Sequence, residues 1–162
     1  MDKPVDLFLG KYRGKVLDHL DPLGIGRLLV TVPAIPEESR RNWAMPCVPY
    51  AGADVGFFAL PPIGANVWVE FEEGNPNRPI WCGCFWEEGE VPDSRPEKKV
   101  FRTTETAITL EDTSGRGGIT LETSEGVKIV LSPAGIELSS GEGSIRLEGK
   151  KVSVNGRVLD GI

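Results

Sequence analysis

The residues that could do chemistry in this chain are few. Cys82 and Cys84 form a Cys-x-Cys, and Cys47 stands apart from them. On a strand, side chains two positions apart share a face, which suits metal binding and apolar packing alike. A zinc site would draw on histidine as well, and the single histidine, His19, is far away in sequence. Buried structural thiols are therefore expected, with no metal and no cofactor. Three cysteines are an odd count, which argues against a disulfide framework. His19 lies at a strand end beside Asp18 and Asp21, without a serine or cysteine partner in motif, so a solvated or turn role is expected. Glu72-Glu73 and Glu87-Glu88 are sequence neighbours. Neighbours on a strand point to opposite faces, whereas glycosidase carboxyls must face each other across a bond. Gly115-Arg116-Gly117-Gly118 is only loosely like an anion-binding loop, because a strand follows it and not a helix. No Gly-x-Ser-x-Gly, His-Glu-x-x-His or phosphate loop occurs. The chain is not expected to be an enzyme.

The stronger signal is a repeat. Gly118-Ile119-Thr120-Leu121, Gly126-Val127-Lys128-Ile129-Val130-Leu131, Gly135-Ile136-Glu137-Leu138, Ser144-Ile145-Arg146-Leu147 and Lys151-Val152-Ser153-Val154 carry one phrase. The leading aliphatics recur about every eight residues and each has an aliphatic partner two positions on, the period of a strand. Gly, Ser, Glu and Pro133 between them supply tight turns. The pattern predicts a ladder of short strands joined by corners, with one aliphatic face. A lone sheet of this kind leaves that face in water. Ordering each residue costs about 1–2 kcal/mol of backbone entropy, against about 1.5–3 kcal/mol returned by a fully buried aliphatic side chain. Short-period repeats reach full burial by stacking on neighbours or partner chains, so an oligomer is expected.

The rest of the chain differs in composition. All the aromatic residues and cysteines lie before Arg102, and only Pro133 of the thirteen prolines lies after it. The expected division is a globular head at residues 1–94, a polar connector at 95–105 and a repetitive tail at 106–162. The head reads as strands throughout. Phe8 to Leu20 fits a long bent strand, followed by the turn Asp21-Pro22-Leu23-Gly24. Gly26 to Pro33, Trp43 to Tyr50, Gly56 to Pro61, Val67 to Glu72 and Ile80 to Trp86 follow as further strands. With no helical pattern, a closed or nearly closed β-barrel filled by aromatics is expected.

Four motifs in this order carry a resemblance. Gly26-Arg27-Leu28-Leu29-Val30-Thr31-Val32-Pro33, Trp43-Ala44-Met45-Pro46, Gly56-Phe57-Phe58-Ala59-Leu60-Pro61-Pro62-Ile63-Gly64 and the run from Val67 to Gly83 resemble the oligonucleotide/oligosaccharide-binding (OB) barrel of contractile-tail spike proteins. These include phage baseplate spikes, valine-glycine-repeat proteins of type VI secretion and spikes of extracellular injection particles. The resemblance implies an all-β fold: an N-terminal OB-fold barrel, then a C-terminal β-helix prism formed by three intertwined chains. It implies a homotrimeric structural spike that plugs an inner tube below a hub protein and pierces the target-cell envelope when a sheath contracts. Relatives with a lysozyme domain place it between barrel and prism, where this chain has only Val91 to Arg102, so no peptidoglycan hydrolysis is expected. Relatives with a metal-bearing tip hold it by a His-x-His, which is missing here, so the tip should be metal-free or capped by another protein. About ten residues precede the first strand, so the hub should be a separate chain.

The expected inward residues of the prism are Ile108, Leu110, Ile119, Leu121, Val127, Ile129, Leu131, Ile136, Leu138, Ile145, Leu147, Val152 and Val154. An open prism end presents unpaired strand edges. Val158, Leu159 and Ile162 are the expected contacts there for a tip protein with proline-alanine-alanine-arginine (PAAR) repeats. Two other readings compete. An OB barrel could bind single-stranded nucleic acid or an oligosaccharide, with Trp43, Phe57, Phe58, Trp68, Trp81 and Trp86 stacking bases. Residues 1–100 hold eleven Lys/Arg against fifteen Asp/Glu, a net of -4, which opposes a polyphosphate partner. A receptor-binding β-prism fibre would share the trimer without the barrel motifs. No apolar run spans a membrane and the N-terminus lacks the pattern of a signal peptide. The expected location is a virion or phage tail-like particle assembled from the bacterial cytoplasm.

Overall fold

In the head, alternation of apolar and polar residues sets which side of each strand is inside. The computed structural model describes residues 7–159. Its first seven strands are β1 (Tyr12–Asp18), β2 (Leu28–Thr31), β3 (Arg41–Pro46), β4 (Ala51–Gly52), β5 (Val55–Gly56), β6 (Asn66–Phe71) and β7 (Pro79–Cys84). Five of them close a barrel in the order β1-β2-β3-β7-β6, with β6 returning to β1. The β3–β7 seam is parallel and the other four are antiparallel. Closure leaves no free edge in the barrel. Gly14 sits where β1 crosses the interior, and a Cβ there would approach Val69 Cγ2 to 3.0 Å and the Thr31 carbonyl to 3.1 Å. The close approach favours glycine.

Val16, Leu28, Val30, Val32, Ile35, Ala44, Val67, Val69, Phe71 and Trp81 form the core. The interior is thus mainly aliphatic, which departs from the expected aromatic filling. A five-stranded barrel has room for small branched side chains and little more. Trp81 is buried and its indole Nε1 donates to the Gly26 carbonyl at 3.2 Å, whereas Phe57, Phe58 and Trp86 are exposed. The expected strand from Gly56 to Pro61 is also different. Only Val55–Gly56 is a strand, paired with Ala51–Gly52 in a small hairpin, and Pro61 and Pro62 have no N–H to extend a ladder. Cys47 and Cys84 are exposed and Cys82 is half-buried, so the thiols are not core residues. Their strand ends lie outside the packed interior.

The connection from β1 to β2 is tied to one side chain. The Asp21 carboxylate accepts hydrogen bonds from the backbone N–H groups of Leu23, Ile25 and Arg27, and from Arg27 Nε and Nη2 at 2.9 and 2.7 Å. Its side chain is 3% exposed. Such bonds to the charged form hold it well below the usual carboxylate range, the Arg27 guanidinium contributing most.

The second compact unit begins at Glu90. It consists of β8 (Lys98–Arg102), β9 (Thr106–Glu111), β10 (Gly118–Thr123), β11 (Val127–Ser132), β12 (Gly135–Ser140), β13 (Gly143–Glu148), β14 (Lys151–Val154) and β15 (Arg157–Val158). They form one antiparallel sheet in sequence order. Within a chain, therefore, each rung pairs its backbone with its own sequence neighbours. The first strand, β8, lies where a connector was expected. Lys99 and Phe101 continue the period-two alternation of the repeat, but the lysines and the nearby prolines obscure it in the sequence. At Gly135, φ is +140° and a Cβ would run into the Leu147 carbonyl. Only glycine lets the next rung lie this close. Among the described residues the single helical element is a 3-10 turn at Glu72–Gly74.

Candidate functional site: the apolar face of the C-terminal sheet

Residues directly opposite each other in neighbouring strands point to the same side of a sheet. Applied rung by rung, this rule puts Phe101, Ile108, Leu121, Ile129, Leu138, Ile145 and Val154 in one column. A second column beside it runs Leu110, Ile119, Leu131, Ile136, Leu147 and Val152. Val127 flanks the first column, two residues from Ile129 on the same strand. All thirteen residues expected to point inward share this face. Phe101 joins them, and the signal that would have found it is its alignment with Ile108 across the first hairpin. Lys99, opposite Leu110, and Arg157, opposite Val154, mark the face's two ends.

Among the described residues the face is left partly open to water. Eleven of the thirteen residues are 37–45% exposed. Ala107 is the one buried hydrophobic residue in this unit among those described, and it lies on the other side. Completing the burial of such a face is worth on the order of 10 kcal/mol per chain. That is comparable with the whole stability of a small domain. The opposite side carries ion pairs: Lys128 with Glu122 at 3.2 Å and Arg146 with Glu137 at 3.1 Å join neighbouring strands, and Arg102 of β8 reaches Glu122 of β10 at 3.6 Å across the intervening β9. Exposed pairs of this kind add little stability. They do mark which side meets water.

Val158 lies opposite Ser153 on the polar side, while Leu159 donates its N–H to the Val152 carbonyl at 2.9 Å. Ile162 lies outside the described residues.

His19 Nδ1 is 3.1 Å from the Pro61 carbonyl oxygen. Glu72 pairs with Arg78 at 2.7 Å, and Glu87 and Glu88 are exposed. Among the described residues no three His, Cys, Asp or Glu side chains are placed to hold a metal. Two of the aromatic rings that could have stacked bases are covered by arginines of the same chain, Trp43 by Arg27 at 5.4 Å and Trp68 by Arg13 at 5.5 Å.

The two units each match a family model. Residues 12–86 match the type VI secretion system/phage-baseplate injector OB domain, and residues 98–160 match the phage baseplate V C-terminal trimerisation domain. The chain belongs to the phage baseplate V family. The baseplate V trimerisation match contains every residue of the apolar face, β8 included, and it supports homotrimer formation. Both matched domains are structural spike domains, which supports a spike-type structural role in a phage or secretion system. No helix among the described residues is long and apolar enough to cross a membrane. The baseplate V chain is also similar to the actin cross-linking toxin VgrG1 of Vibrio cholerae, 36% identical over 81 residues. The match covers 49% of this chain and 7% of that relative. That relative's toxin activity does not follow from so small a shared part.

Proposed function

We propose that the chain is the central spike of a contractile injection apparatus, acting as a homotrimer. The observation that carries this reading is the two-column aliphatic face left uncovered in a unit that matches a trimerisation domain. Three such sheets, wound about a common axis, form a three-sided prism with aliphatics inside and ion pairs outside. Eight strands stacked at about 4.8 Å give a rod roughly 34 Å long. Three barrels form a collar that mates with the hub and closes the inner tube. The far end of the prism takes a PAAR-repeat tip protein, and sheath contraction drives the assembly through the target envelope.

The test is the native mass of the full chain by light scattering, with an unboiled denaturing gel beside it. Three times 17.6 kDa, resistant to detergent until heated, is the expected result. A monomer at micromolar concentration would overturn the trimeric spike.

A further inference from the structure

Two of the three cysteines take neighbouring register positions at the end of the barrel's parallel seam. Pro46 is paired with Trp81, and the next backbone N–H, that of Cys47, donates to the Trp81 carbonyl at 2.9 Å. In parallel pairing, this bond places Cys47 opposite Cys82. Both side chains leave the barrel on its outer side. Trp81 before Cys82 is in the core, and Ala44 and Val48 pack inward around an exposed Met45 and an exposed Cys47. Cys82 Sγ accepts a hydrogen bond from Lys11 Nζ at 3.2 Å, Glu70 holds that ammonium at 2.7 Å, and the thiol donates to the Trp68 carbonyl of β6 at 3.6 Å, so the sulfur is turned toward β6 and must rotate to meet Cys47. The sulfur is therefore on the surface where Lys11 lies.

We propose that Cys47 and Cys82 form an oxidisable dithiol that closes a disulfide across the β3–β7 seam. Adjacent strands lie about 4.8 Å apart, within the roughly 4.4–6.8 Å Cα separation that a disulfide spans. The sulfurs must draw together, and there is slack on both sides. Cys47 lies just past the end of β3, and Cys82 precedes Gly83, whose φ is +120°, where the β6–β7 register shifts. A low-molecular-weight disulfide such as oxidised glutathione is the oxidant. One thiolate attacks it to give a mixed disulfide and one glutathione; the second thiol, as thiolate, displaces the other glutathione. One S–S bond forms within the protein, and its two thiol protons end on the two glutathione thiols. Cys84 lies opposite Val67 beyond the register shift and takes no part. The bond would fasten the barrel's one parallel seam, whose register spans only two paired positions. The inference rests on the barrel's register and is independent of the spike assignment.

The experiment treats the fully reduced full chain with oxidised glutathione, alkylates the remaining thiols and reads intact mass and a non-reducing gel. The expected product is a single chain lighter by about 2 Da, with one alkylated thiol, restored by reductant. Cys84→Ser should still form the bond, while Cys47→Ser and Cys82→Ser should each lose it with barrel folding intact by circular dichroism. The oxidised protein should also unfold at a higher temperature than the reduced one. Three freely alkylated thiols, a reaction that stops at glutathione adducts, covalent dimers on the gel, or a bond that persists in Cys47→Ser would each overturn the proposal. The last outcome would place the bridge between Cys82 and Cys84.

Discussion

Ile136 has Leu131 on one side and Leu147 on the other in the second aliphatic column. In the proposed trimer, Ile136→Asp sets three carboxylates against that apolar interior, and unpaired buried charge is costly. The expected outcome is loss of the trimer by light scattering, while Glu137→Gln on the polar side leaves it assembled. A normal trimer in Ile136→Asp would show that the face points elsewhere. Asp21 makes a different prediction, in the barrel. Its pKa is depressed in the folded state, so its stabilisation is full above the unfolded-state value of about 4 and is lost as pH falls toward the folded one. The barrel's urea midpoint should be flat from neutral pH to about pH 5 and fall in stronger acid. Asp21→Asn should lower the neutral-pH midpoint and shallow that fall; equal slopes in both proteins would remove Asp21 as the cause.

Among the elements, the hairpin corners constrain the C-terminal sheet most. Gly135→Ala forces a Cβ toward the Leu147 carbonyl in a conformation that costs L-residues about 1–3 kcal/mol even without the clash. The variant should melt at a lower temperature, whereas Gly126→Ala, where a Cβ meets open space, should pay only for its positive φ. The aliphatic face was legible in the sequence because a period of two and a turn every eight residues leave one choice of side. Register then followed from tight hairpins, and Ile119, Ile129 and Leu138 fell where the pattern put them. The barrel was less legible. Strands such as β7, Pro-Ile-Trp-Cys-Gly-Cys, are apolar on both sides, so alternation does not say which side is interior. Trp81 and Trp86 look alike in sequence, and closure of the barrel buries only the first. The expectation of buried thiols failed for the same reason. β8 was hidden because its apolar content is only Val100 and Phe101, too short a run to show a period.

The two units of the molecule differ in kind. The barrel has a core of its own, whereas the C-terminal sheet buries little except Ala107 among its described residues. Residues 1–89 alone should therefore fold as a monomer with a melting point independent of concentration. Residues 90–162 alone should gain sheet signal by circular dichroism only as concentration rises, as expected when folding is linked to association. A folded monomeric 90–162 fragment would break the link between the bare face and assembly. The in-order strand pairing of that sheet has a mechanical consequence. Its interstrand hydrogen bonds lie along the direction in which the strands stack. Thrust in that direction presses every rung onto the next and loads all of them at once. A pull at the terminal strand concentrates on the two-residue β15 and then on one hairpin at a time, so the sheet peels open at small force. In the proposed trimer, a rod of such sheets would resist being pushed far better than being drawn back, as a single stroke requires.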